Sequence, residues 1–65
     1  MQSTYDADID LLCVRLSLAP AERERELAPG VTAQLDADGG IVALEILDAG
    51  RRLGTAALLK LPSPG

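Results

Sequence analysis

The chain has no histidine, tryptophan or phenylalanine, one cysteine and one tyrosine, and each shortage removes a class of chemistry. Without histidine there is no base for a Ser-His-Asp triad, so Ser3, Ser17, Ser63, Thr4, Thr32, Thr55 and Cys13 lack the group that would activate them. Zinc sites built from Cys and His lose their ligands, since Cys13 stands alone. The same lone thiol has no internal disulfide partner. Set in Leu11-Leu12-Cys13-Val14, it reads as a small buried hydrophobe suited to a reducing compartment. With Tyr5 the only ring, no aromatic platform can stack nucleic-acid bases, and a core of small units without a large aromatic anchor is expected.

Long apolar runs are missing too. No stretch approaches the ~18 residues of a membrane span. Met1-Gln2-Ser3-Thr4-Tyr5-Asp6 has neither the basic nor the apolar segment of an export signal, so the expected location is the cytoplasm. Basic residues are in the minority: six Lys and Arg against ten Asp and Glu leave a net charge of −4, which disfavours direct nucleic-acid binding. A small basic protein is the better electrostatic match. At 65 residues the chain makes one small domain, expected over 1–61 with 62–65 as a flexible tail. It lies near the size where burial only just offsets ordering entropy. With disulfide and metal routes closed, a homodimer is the expected source of extra burial.

What is present is an ordinary globular balance, 48% hydrophobic and 25% charged, enough apolar material to fold. The clearest pattern runs from Val31 to Leu47, where two alternating stretches flank Ala37-Asp38-Gly39-Gly40 and read as a hairpin. A two-residue turn at Asp38-Gly39 pairs Asp36 with Ile41, Leu35 with Val42, Ala33 with Leu44 and Val31 with Ile46. One face is then apolar, while Thr32, Gln34, Asp36, Ala43 and Glu45 share the other with Ile41 and Leu47 as exceptions that ask for cover. Asp10 to Leu18 reads as a further strand and Gln2 to Tyr5 as a short one. Ala19 to Ala28 is ambiguous. By propensity Pro20 to Leu27 is a helix stopped by Pro29-Gly30, yet it lacks an apolar stripe; as a strand it is a charged edge, with Glu22, Glu24 and Glu26 on one face and Arg23 and Arg25 on the other. Asp48 is placed to cap a helix through Ala49, Leu53, Ala56, Ala57 and Lys60, with Leu53 and Ala57 on one face. The fold class is therefore α+β: a small antiparallel meander of four to five strands with a short C-terminal helix.

Candidate chemistry is sparse. Asp6, Asp8 and Asp10 resemble the opening of a calcium loop, but its sixth position is Leu11 and its twelfth Ser17; the loop from Asp36 fails likewise at Ile41 and Leu47. Turn chemistry accounts for both clusters. No phosphate-binding glycine motif fits. Arg51-Arg52 reads as a solvated face or an ion pair. No catalytic residue, metal ligand or cofactor is assigned.

Four pieces together resemble one family: Tyr5-Asp6 with Asp10-Leu11-Leu12-Cys13-Val14-Arg15-Leu16; Pro29-Gly30-Val31; Leu35-Asp36-Ala37-Asp38-Gly39; and Val42 to Ala49 with Arg52-Leu53. In order and spacing they are similar to the small bacterial and archaeal proteins grouped as domain of unknown function 2283, over about residues 4 to 53. The resemblance implies a compact antiparallel sheet closed by a helix, and it tips Glu22 to Leu27 toward strand. It supplies no catalytic set. Some members are encoded beside small toxin-like proteins and are regarded as candidate antitoxins. The chain departs from the family pattern at Cys13, where a large residue is usual and the core is expected to thin, and at Gly50, where the helix start is usually Ser.

The expectation from this reading is a non-catalytic binding or assembly module, antitoxin-like, using Glu22, Glu24 and Glu26 and the strand edge that carries them. Two alternatives stand beside it. One is an enzyme or enzyme subunit in which Asp6, Asp8, Asp10, Asp36 and Asp38 gather at one end of the sheet around a metal; the other is a plain homodimeric structural domain.

Overall fold

Alternating side chains make strands. The computed structural model describes residues 1–64 and contains β1 Gln2–Asp6, β2 Leu11–Arg15, β3 Arg23–Ala28, β4 Val31–Leu35 and β5 Ile41–Ile46, followed by the helices α1 Ala49–Leu53 and α2 Thr55–Leu58. They form one antiparallel sheet in the order β1-β2-β5-β4-β3. The sheet is thus a β1–β2 hairpin laid beside a β3–β4–β5 meander. Segment 16–22 crosses the ends of β5 and β4 to join them.

Residues directly opposite one another share a face. The rows Tyr5–Leu12–Ile46–Val31 and Ser3–Val14–Leu44–Ala33–Arg25 therefore lie on one side of the sheet; Thr4–Cys13–Glu45–Thr32–Glu26 and Gln2–Arg15–Ala43–Gln34–Glu24 lie on the other. The helices cover part of the first side, where Tyr5, Leu12, Ala49 and Leu58 are buried together and Val14, Ile46 and Leu61 pack against them. Two expectations are corrected here. The single ring is itself the anchor of the core, and Cys13 is a half-buried residue of the polar face, so its small size does not thin the core.

The β4–β5 hairpin keeps the register that the apolar pattern demands at Ala33↔Leu44 and Val31↔Ile46, but it closes differently. A two-residue turn of the tightest kind needs positive φ at both central residues; here Gly39 has φ +87 and Asp38 does not. Instead the Asp36 carboxylate accepts the amides of Asp38 and Gly40 at 2.9 and 2.8 Å, and the Asp36 amide donates to the Gly40 carbonyl at 2.9 Å. That wider loop sets Leu35 opposite Ile41 instead of Val42, a one-residue slip that would turn every following side chain to the wrong face. A bulge between Gln34 and Leu35 in the pairing restores the register before Ala43. Ile41 and Leu47 remain exposed.

The remaining corrections concern ends. β2 stops at Arg15 because the amides of Leu16 and Ser17 share the Val42 carbonyl and the chain then leaves the sheet, with the Ala19 amide held by the Ser17 hydroxyl at 3.1 Å. Leu18 is consequently 94% exposed and no strand residue. The ambiguous segment is strand from Arg23, turned back through Pro29 and Gly30, whose φ of +80 suits the third position of a Pro-Gly turn. The C-terminal helix is broken in two at Gly54, φ +93, and its buried residues are Ala49 and Leu58, not Leu53 and Ala57. Asp48 stands at the helix start with φ 54 and makes no side-chain cap; its carboxylate meets Arg51 at 3.2 Å. The cap comes from Asp10, 40 residues away, whose carboxylate accepts the Gly50 amide at 2.8 Å. Gly50 suits this site because a Cβ there would lie 2.7 Å from the Thr55 hydroxyl and 3.0 Å from Asp10. Gly65, the last residue of the expected tail, lies outside the described residues.

Candidate functional site

A sheet in one piece has two edge strands, here β1 and β3. The chain returns along β1: after α2, the Pro62 carbonyl accepts the Tyr5 amide at 2.9 Å. β3 pairs with β4 on one side only, and every one of its residues is exposed. Pro29-Gly30 places it there, by folding the charged segment back on β4 while segment 16–22 leaves room at the outer side.

The charges of β3 are sorted by face. Glu24 and Glu26 sit opposite Gln34 and Thr32, and Arg23 and Arg25 opposite Leu35 and Ala33. Glu22 lies one residue before the strand, its amide donating to the Leu35 carbonyl at 2.7 Å. Among the described residues the ion pair formed is Arg51–Asp48, so the β3 charges are left without an ionic partner. A bulge between Glu26 and Ala28 ends the regular pairing and leaves Leu27 half out of the surface.

The aspartates do not converge. Antiparallel connectivity puts the turn after β1, with Asp6, Asp8 and Asp10, at one end of the sheet and the turn after β4, with Asp36 and Asp38, at the other. The picture of five acids at one end is thereby corrected, and among the described residues no group of three His, Cys, Asp or Glu is placed to hold a metal ion. Asp6 serves its own turn, accepting the Asp8 amide at 3.0 Å. A depression of about 370 Å³ beside Tyr5, lined also by Asp6, Asp8, Leu59 and Leu61, is therefore bordered by a carboxylate already engaged in the turn.

Asp10 has a different role. It adopts φ 54, a left-handed conformation that Asp tolerates better than most residues. There its carboxylate accepts both the Tyr5 hydroxyl and the Gly50 amide, and its carbonyl accepts the Ala49 amide at 3.1 Å. Those bonds, the Tyr5 hydroxyl first and the Gly50 amide second, hold the Asp10 carboxyl below the usual carboxylate range against the opposing effect of burial. The bond to Asp10, then burial and the nearby carboxylate charges, push the Tyr5 phenol above its ordinary value. Sequence reasoning took Asp10 for a turn residue. The signal available was that Tyr5 and Asp10 flank one tight turn, which sets the phenol within reach of the carboxylate.

Arg52 donates to the Pro29 carbonyl at 2.5 Å and ties α1 to the β3–β4 turn. No helix is long and apolar enough to cross a membrane among the described residues.

A five-stranded antiparallel sheet closed by two short helices, with the C-terminal segment bonded to one edge strand at Tyr5 and the other edge strand fully exposed, defines the molecule as a small α+β domain. The model of the family described as "Protein of unknown function (DUF2283)" matches residues 2–49, and the chain belongs to that family. Neither a curated protein nor a solved structure matches the chain.

Proposed function

We propose that the chain is a non-catalytic protein-binding module that receives its partner on the β3 edge, beside Glu22, Glu24 and Glu26. The observation that carries this reading is the asymmetry of the two edges: at β1 the Tyr5 amide is taken by the Pro62 carbonyl, whereas among the described residues the outer side of β3 has no backbone partner and every residue of the strand is exposed. An unpaired strand offers a row of main-chain donors and acceptors, and strand addition gives affinity without a cavity. The net charge of −4 favours a basic protein as the partner, and neutralisation of a small basic toxin is the narrower form of this reading, resting on the gene neighbourhoods of the family's members. Location in the cytoplasm belongs to the same proposal.

The experiment is affinity capture from the native cell at low salt with the tagged chain and with Glu24→Lys/Glu26→Lys in parallel. A basic protein recovered in stoichiometric amount by the first and lost by the second supports the reading. Recovery that ignores the substitution, or no recovery while the neighbouring gene product is co-expressed, counts against it.

A further inference from the structure

We infer that the β3 edge is built for an antiparallel strand of a different protein whose side chains alternate basic and acidic, the basic ones beside Glu24 and Glu26 and the acidic ones beside Arg23 and Arg25. The inference rests on the binding-module reading above and narrows it to a partner chemistry. Its starting point is the sorting of charge by face: Glu24 and Glu26 lie on the side of Gln34 and Thr32, Arg23 and Arg25 on the side of Leu35 and Ala33.

In an antiparallel pair, residues directly opposite one another point to the same side of the continued sheet. A second copy that joined β3 to β3 in antiparallel fashion would be related by a two-fold axis perpendicular to the sheet, which sets each face beside itself. In every such register a charged residue of this segment that meets another charged residue of it meets its own kind: Glu24 meets Glu22, Glu24 or Glu26 of the copy, and Arg23 or Arg25 meets Arg. Diagonal neighbours on a face have the same sign as well. Like charges directly opposite destabilise a sheet, opposite charges support it. None of the four is already neutralised by an ion pair within the described chain. The pattern therefore turns away a second copy and favours a strand that carries basic residues on the Glu face and acidic residues on the Arg face.

The bulge between Glu26 and Ala28 bounds the regular window at Arg23–Glu26. Read from its N-terminus, the complementary antiparallel strand is basic, acidic, basic, acidic. The alternation of sign distinguishes this partner from any merely basic peptide, which would meet Arg23 and Arg25 with repulsion. It also explains how one segment can remain a monomeric edge in its free form and a specific edge in a complex, because specificity needs a penalty against the wrong occupant as well as attraction to the right one.

The test uses two disulfide-clamped hairpin peptides, preorganised so that little ordering entropy is lost on binding. Their outer strands carry Lys-Glu-Lys-Glu in one and Lys-Lys-Glu-Glu in the other, with the same composition and net charge. Each is titrated into the full isotopically labelled chain at low ionic strength and followed by amide chemical shifts. The expected result is binding at least about tenfold tighter for the alternating hairpin, with shifts centred on residues 22–27, abolished in Glu24→Lys/Glu26→Lys and weakened by salt. Circular dichroism of that variant checks that its fold is retained. Equal binding of the two isomers at β3 overturns the charge complementarity while leaving β3 a binding edge. No shift at β3 with either hairpin overturns the inference and the edge reading together. A dimer joined through β3, seen by light scattering and β3 amide shifts on dilution, overturns the argument that the pattern turns away a second copy.

Discussion

At β1 the chain comes back to its own edge strand, bonding it at one amide and covering the face beside it. The Pro62 carbonyl takes the Tyr5 amide, Leu58 and Leu61 pack onto the cluster around Tyr5 and Leu12, and Asp10 ties the adjoining turn to α1. Along β3 nothing returns: its residues are exposed and its charges face solvent. The sheet is the same object at both edges, so the difference lies in what the sequence attaches to each. Apolar residues placed after β5 cover the face beside one edge, and an alternation of Arg and Glu lies along the other. A small domain with little to spare in burial thus places its apolar cover beside one edge and leaves the second exposed.

The largest expected effect comes from loosening the covered face beside β1. Leu58→Ala removes a buried side chain that pins the C-terminal segment over β1, at a cost of about 2–4 kcal/mol; urea denaturation measures it, and a cost near zero would mean that the two edges do not differ as described. Gly30→Ala acts at the turn that sets β3 beside β4. It forces a side chain into φ +80 and brings a Cβ within 2.8 Å of the Arg52 guanidinium, so a loss of about 1 kcal/mol or more is expected in the same measurement.

Acid and base sharpen the comparison further, because the titrating latch belongs to the β1 side. Asp10 ionises more readily folded than unfolded, so its contribution is complete above the ordinary value of 3.8 and is lost as pH falls through the lower folded value. The Tyr5 phenol is held protonated, so its contribution is complete below 10.0 and is lost as pH rises through the raised folded value. Tyr5→Phe should flatten both limbs of the stability profile without moving the plateau between them as steeply as Leu58→Ala does; thermal melts across pH decide it, and an unchanged acid limb would remove the latch from the account. The smallest effect belongs to the open edge. Glu24→Lys/Glu26→Lys alters exposed side chains with no ion pair to break, and stability should stay within about 0.5 kcal/mol of the parent while partner capture is lost.

How much of this could be read beforehand depended on distance along the chain. The hairpin from Val31 to Ile46 was legible because a period of two with one apolar face admits few registers. The detail that escaped was local hydrogen bonding: the Asp36 carboxylate gathers two amides and widens the loop, and a bulge then repairs the register. β3 was ambiguous because Glu and Arg are good helix formers even though their alternation suits an exposed strand; resemblance to the family, and not the residues alone, tipped it. The expected single helix through Lys60 is interrupted because Gly54 takes φ +93, which no helix residue can adopt, and a helical pattern of apolar residues on either side does not reveal that break. The turn holding Tyr5 and Asp10 together offers a local signal for their bond, but the Gly50 amide lies 40 residues downstream of Asp10, a contact no local pattern announces. Of the candidate site, the sorting of Glu and Arg by face is legible in the residues; that β3 is an outer strand, and that the C-terminal segment returns to β1 at Tyr5, required the topology.

The most direct test is amide hydrogen exchange on the chain alone and on the complex recovered by affinity capture, read strand by strand. The account predicts slow exchange at the Tyr5 amide of β1 and fast exchange on the outer side of β3 in the free chain, and new protection confined to residues 22–27 in the complex. Protection that appears instead along β1 or across the polar face of β2 and β5, with β3 unchanged, would contradict it.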